Sequence, residues 1–350
     1  MITGFWKKLK RPIFALAPMA NVTDAAFRRV IAKYGKPDVM WTEFVSCDGL
    51  CSKGKDSIMI DLKFTPAERP IVAQIFGSKP KNFYKTAQLL QELGFDGIDI
   101  NMGCPDRSVE KQGAGAKLML DPKLAQEIIE ETKRGAGKLP ISIKTRLGYN
   151  KNILNEWLPY LLETEPAAIT IHARIRKEMS LVPAQWEEIK KAVELRNRYD
   201  NSPSHTLILG NGDVKSVEDG LNKIKQTGAD GVMIGRGIFG NPWFFAKQPT
   251  PPTTTPLRGG NWRPPPRRGA QGGCCPTVIN KLRVLIEHTK LYEKLLGDKK
   301  SFDIMKKHFK AYVNGFAGAK DLRIELMGAK NATDVRKIIS NRFNTLTKKE

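Results

Sequence analysis

The 350-residue sequence predicts an α/β chain built as a (β/α)8 TIM barrel followed by a small all-helical C-terminal domain. Three observations predict it. Eight short apolar runs alternate with amphipathic stretches between residues 13 and 246. Eight strand–helix units are the number that closes such a barrel, and about 250 residues is its usual size. From residue 278 onward the pattern changes: Leu282, Leu285, Ile286, Leu291 and Leu295, then Phe309, Tyr312, Val313 and Phe316, recur at helical spacing.

In chain order, the predicted strands are residues 13–17, 39–42, 71–75, 97–100, 141–143, 168–171, 207–209 and 231–234. Before the first lies the basic run Lys7-Lys8-Leu9-Lys10-Arg11, which suggests a signal peptide. The apolar run that follows is too short for one and leads into Pro18-Met19, so it reads as a core strand. Helix starts are marked by Thr23-Asp24, Pro80, Asp121-Pro122 and Ser216. A doubly wound open sheet also alternates, but it carries a Gly-rich turn after its first strand, where this chain has Pro18-Met19-Ala20-Asn21. Three segments result: a barrel over 1–246, a Pro/Gly/Arg-rich linker or insertion over 247–276, and a basic helical domain over 277–350.

Composition bounds the function. With 41% hydrophobic and 27% charged residues the chain can bury a full core. No apolar run approaches the ~18 residues a membrane span needs. The five cysteines, at 47, 51, 104, 274 and 275, are odd in number and lack C-x-x-C spacing. That argues against a disulfide framework or a zinc site, and for a reducing cytoplasm with no metal. The net charge of +22 points to a polyanionic partner. Residues 277–350 hold 17 basic and 8 acidic side chains, whereas residues 1–246 hold 36 and 28, so the basic excess is densest at the C-terminal end.

In a barrel the working residues sit where strands end. Here those positions are Pro18-Met19-Ala20, Glu43, Gln74, Asn101, Lys144, His172, Asn211-Gly212-Asp213 and Gly235-Arg236. Gly-containing turns after strands seven and eight suit a phosphate held by backbone N–H groups. Lys144 ends a strand of otherwise apolar residues, which points its ammonium at the barrel mouth to stabilise an anion. His172 serves a ligand or, as lone strand-end histidines more often do, the structure. The most specific signal is Asn101-Met102-Gly103-Cys104-Pro105 followed by Gly113-Ala114-Gly115-Ala116. A thiol before proline on a mouth loop is suited to exchanging a proton, because a thiol of ordinary pKa, about 8.5, is mostly neutral at pH 7.

These blocks, with Ala17-Pro18-Met19-Ala20, Lys144-x-Arg146 and His172-x-Arg174, resemble the bacterial tRNA-dihydrouridine synthases. The resemblance implies an FMN-dependent barrel, NADPH as reductant and tRNA as substrate, with the helical domain helping to hold the tRNA; the protein is separately expected to be a monomer. It implies flavin contacts at Pro18, Met19, Ala20, Gln74, Lys144, His172, Asn211, Gly212, Asp213, Gly235 and Arg236. It implies substrate contacts at Asn101, Arg174 and Arg176, and Cys104 as proton donor. Where the family usually has Thr between the two arginines, this chain has Ile175. Two rival readings are a small-molecule flavin oxidoreductase of the dihydroorotate dehydrogenase kind and a flavin-binding RNA chaperone without turnover.

Overall fold

A computed structural model describes residues 4–199, 206–246 and 277–346. The predicted linker, with Cys274 and Cys275, lies outside the described residues. Eight parallel strands alternate with helices. They are β1 (Ile13–Leu16), α1 (Ala25–Tyr34), β2 (Met40–Ser46), α2 (Cys47–Leu50), α3 (Lys55–Ile58), β3 (Ile71–Phe76), α4 (Pro80–Glu92), β4 (Gly97–Met102), α5 (Arg107–Glu110), α6 (Pro122–Ala136), β5 (Ile141–Arg146), α7 (Leu154–Glu163), β6 (Ala168–His172), α8 (Trp186–Tyr199), β7 (Leu207–Asn211), α9 (Val217–Thr227) and β8 (Gly231–Ile234). The sheet order is β1-β8-β7-β6-β5-β4-β3-β2. A parallel bridge between Ala15 and Val39 joins its two ends, with the Leu16 N–H donating to the Val39 carbonyl at 3.0 Å. The cylinder is thus closed, as the eight-unit pattern requires.

Several strands outrun their apolar stretches. β2 continues to Ser46, with a register shift between Trp41 and Phe44, so Glu43 lies within the strand and not at its end. β4, β5 and β7 likewise extend through Asn101, Lys144 and Asn211. The ladder is a backbone structure, so it persists where side chains turn polar at the barrel mouth. Apolarity alone therefore ends six of the eight strands one to four residues early; β8 matches its predicted range and β1 stops one residue short of it.

Local chemistry sets the helices. Asp24 caps α1, its carboxylate accepting from the Ala26 and Phe27 N–H groups at 2.9 Å. Asp121 and Ser216 cap α6 and α9 in the same way, and α9 stops at Gly228 in the left-handed conformation. Alternate strand residues Ile13, Ala15, Trp41, Val72, Leu207, Leu209 and Met233 fill the barrel, with Trp6 packed against Trp41 before the first strand. The other strand faces pack against the helices.

After β8 come α10 (Val278–Leu296), α11 (Met305–Tyr312), α12 (Ala319–Met327) and α13 (Ala332–Leu346). Their core is shared with the barrel: Leu285, Tyr292, Phe309 and Leu322 cluster with Ala26 and Val30 of α1. α1 therefore has two buried faces. No helix among the described residues is long and apolar enough to cross a membrane.

Candidate active site

The C-terminal strand ends surround a cavity of about 580 Å3. Pro18 and Met19 follow β1, Pro105 follows β4, Lys144 and Arg146 lie on β5, and His172 and Arg174 come from β6. Asn211, Gly212 and Asp213 come from β7 and Gly235 and Arg236 from β8, completing the wall. Sequence reasoning named Arg146 within the Lys144-x-Arg146 block but gave it no role, and did not single out Met179, Ser180 or Lys215; all four also line the cavity. Arg146 was within reach: it lies two residues beyond Lys144 on one strand, so both side chains take the same face. Met179 and Ser180 belong to an irregular loop with no periodic signal.

The wall is electropositive. Lys144, Arg146, Arg174, Lys215 and Arg236 face a single lining carboxylate, Asp213. Lys144 donates to Asn211 Oδ1 at 3.3 Å, and Asn211 in turn donates to the Met233 carbonyl at 2.8 Å. Burial, helped by Arg146, pulls the Lys144 ammonium down to about 8. Burial and the same group of cations hold His172 far below its usual range, so the ring is neutral. Arg174 Nη1 donates to His172 Nε2 at 3.0 Å, which leaves the ring proton on Nδ1. Asp213 accepts from Arg174 and from the Ala184 N–H, and Arg236 lies 3.2 Å from its other oxygen. Burial alone would raise its pKa, but these donors outweigh that and hold it below the ordinary value.

Two glycines shape this end of the cavity. Gly212 has φ +127°, and a side chain there would put Cβ 2.8 Å from the Ala184 methyl. At Gly235 a Cβ would meet only Met19 Sδ at 3.4 Å and Ala17 at 3.6 Å, so its absence leaves the backbone open to the cavity. Bare backbone beside Arg236 fits a phosphate ester, and the donor set matches an anionic cofactor such as FMN.

Cys104 lies on the loop after β4, half-buried against the cluster of Phe76, Val109 and Ala114. Burial raises its thiol pKa, so it is protonated at neutral pH. Its N–H donates to Asn101 Oδ1 at 2.9 Å, and its carbonyl accepts from the Ala116 N–H at 2.9 Å. Gly115, at φ +64°, has no room for a Cβ, which would come within 2.7 Å of the Cys104 carbonyl. The Gly-Ala repeat thus accompanies the cysteine motif because it packs directly on it.

Of the remaining expected residues, Gln74, Asn101, Ala20 and Arg176 lie off the cavity wall, whereas Arg174 lines it with its guanidinium already bonded within the protein. Gln74 and Asn101 are buried and bonded to each other, and Ala20 is exposed. Arg174 is only 2% exposed and is occupied by Val182, His172 and Asp213. Arg176 makes a bidentate pair with Glu110 and stacks over Tyr149, which fastens its loop to α5. Both guanidiniums expected at the substrate are therefore bound within the protein. Among the described residues, no group of three or more His, Cys, Asp or Glu side chains could hold a metal ion.

A family model described as dihydrouridine synthase (Dus) matches residues 15–348. The probable tRNA-dihydrouridine synthase 2 of Bacillus subtilis (strain 168) is 40% identical over 343 residues, 97% of either chain. The probable tRNA-dihydrouridine synthase of Staphylococcus aureus (strain MRSA252) is 40% identical over 342 residues, covering 97% of this chain and 95% of that one. Among solved structures, the old yellow enzyme homologue from Zymomonas mobilis superposes with a TM-score of 0.46 at 12% identity, covering 66% of this chain and 86% of that one. The two relatives align over nearly their whole length, and the family model takes in the barrel, the Cys104 loop and the C-terminal helices together: this chain belongs to the dihydrouridine synthase family.

Proposed function

We propose that this chain reduces the 5,6 double bond of uridine in tRNA to 5,6-dihydrouridine, with FMN as cofactor, NADPH as reductant and Cys104 as proton donor. One observation carries the reading. In a chain of the dihydrouridine synthase family, a neutral thiol stands on the loop whose next residue, Pro105, lines a cavity with five cations and one carboxylate.

Asn211, Gly212, Asp213, Gly235 and Arg236 would hold the phosphate end of FMN, and Pro18, Met19, Lys144 and His172 its ring. FMN bound there would supply hydride chemistry at C6 of the uracil, with NADPH as its reductant. Because the double bond is conjugated with the C4 carbonyl, addition at C6 leaves enolate-like charge that a proton at C5 neutralises. Cys104 delivers that proton from Sγ, and its raised pKa favours recovering one from water afterwards. His172, neutral and with Nε2 occupied, offers Nδ1–H as a donor without adding charge. Arg174 acts through others, holding His172 and Asp213 in place.

A uracil inside folded RNA must leave its stack to reach the thiol. The basic excess of residues 277–350 supplies the phosphate contacts that would hold the RNA meanwhile. The test is incubation of purified protein, FMN and NADPH with unmodified tRNA, followed by mass-spectrometric mapping. A dihydrouridine at a defined position, with NADPH oxidation that depends on tRNA, is the expected result. NADPH oxidation with no modified uridine would overturn it in favour of a small-molecule flavin oxidoreductase.

A further inference from the structure

Asp99, Gln74 and Asn101 form a buried chain of hydrogen bonds that ends on the Cys104 loop. The register places Gln74 beside Asp99 across β3 and β4, and Asp99 beside Ser142 across β4 and β5. Asp99 is wholly buried, its carboxylate accepting from Gln74 Nε2 at 2.6 Å and from Ser142 Oγ at 2.6 Å. Gln74 Oε1 accepts from Asn101 Nδ2 at 3.1 Å. Asn101 Oδ1 accepts from the N–H groups of Gly103 at 3.2 Å and Cys104 at 2.9 Å.

We propose that Asp99 is a positioning residue that, together with the Gly103 and Cys104 N–H groups at the other end, fixes the direction of both amides in this chain and thereby holds the backbone that carries Cys104. A primary amide can be turned end for end at little steric cost, so neither Gln74 nor Asn101 fixes its own orientation. The ends of the chain do. An ionised carboxylate only accepts, and two backbone N–H groups only donate. Between an acceptor-only end and a donor-only end, just one orientation of both amides leaves no buried group unpaired. Burial pushes the Asp99 carboxyl up to about 6, which still leaves it mostly ionised at neutral pH. The inference rests on the proposed role of Cys104 for its catalytic meaning, but its structural content does not need that reading.

The test uses the full chain and two readouts, with Asp99→Leu to remove the acceptor and Asp99→Asn to retain one oxygen at the same volume. Hydrogen exchange at Gly103 and Cys104, read by mass spectrometry, should quicken about tenfold in Asp99→Leu, with β7 unchanged as an internal reference. Asp99→Asn should stay within about threefold of the parent, because its Oδ1 can still accept from Gln74. Gln74→Met, which breaks the chain one link later, should free the same two amides even if Asp99→Leu does not fold. At saturating tRNA, Asp99→Leu should lower kcat for uridine reduction while leaving KM for tRNA nearly unchanged, and Asp99→Asn should restore most of it. Unchanged exchange at Gly103 and Cys104 in the folded variants, or a loss of protection spread equally over β7, overturns the proposal. Absence of uridine reduction in the parent would sink the functional reading and leave the exchange result to decide the positioning role.

Discussion

Two side chains at the site differ in what they do with a proton. Cys104 has a raised pKa and holds its proton at pH 7, so its contribution should fall on one step. Cys104→Ala should bind FMN and oxidise NADPH through it normally, yet reduce tRNA uridine about 10²–10⁴-fold more slowly, the usual span of general-acid catalysis. Stopped-flow measurement of the two steps checks this, and an unimpaired uridine step would mean that Cys104 is not the acid. Lys144 has a lowered pKa, about 8, so it is charged below that pH and loses its charge above it. An FMN phosphate is fully ionised throughout this range, so affinity should be level near pH 7 and fall between about pH 8 and 9.5. Fluorescence titration of FMN should show weaker binding to Lys144→Met with no such fall. Equal pH dependence in parent and variant would take Lys144 out of the binding site.

At the scale of the element, the helices hold the strand ends in place, and their spacing is set by backbone contact as much as by apolar side chains. Gly135, in the last turn of α6, faces the carbonyl of Tyr84 in α4 so closely that a Cβ would lie 2.2 Å from its oxygen. Helix propensity favours Ala over Gly by about 1 kcal/mol in such a position. Overpacking against backbone costs about 1–3 kcal/mol, and a carbonyl cannot rotate away as a side-chain tip can. Gly135→Ala should therefore lower Tm by a few degrees, read by circular dichroism, where propensity alone predicts a rise. A stabilised variant would show that α4 and α6 can part at little cost.

Across the whole molecule, the C-terminal helices are joined to the barrel by contacts of unequal worth. Lys300, just after α10, lies 2.9 Å from Glu43 Oε2 and 2.6 Å from Asp61 Oδ1, and the other oxygen of Glu43 accepts from the Asn21 N–H. This group is largely buried and ties the C-terminal region to the segment that follows Pro18 and Met19. Lys33 also bridges the two regions, 2.7 Å from Glu287, but in solvent. Lys300→Met strands the buried carboxylate of Glu43 and should cost about 3–5 kcal/mol. Lys33→Met should cost at most about 1 kcal/mol. Urea unfolding of both variants measures the contrast, and equal losses would show that burial does not set the strength of the junction.

The sequence by itself determined the eight-unit barrel, the caps at Asp24, Asp121 and Ser216, and the positions at which strands deliver polar side chains to the mouth. These are local properties: an apolar period of two or 3.6 and a capping residue act within a few positions of one another. It also marked the Asn101–Cys104 motif and the Gly-Ala repeat as a pair, although their packing on each other became visible only in three dimensions. Tertiary structure alone decided which polar groups are free to meet a ligand. Arg174 and Arg176 stand in sequence as substrate-facing cations, yet Asp213 and Glu110, 39 and 66 residues away, occupy them. Lys300 finds Glu43 across 257 residues, and Asp99, inside an apolar run, finds Gln74 and Ser142 on neighbouring strands. A polar side chain's partner depends on which segments the folded chain brings within about 3 Å, and no period in the sequence encodes that distance.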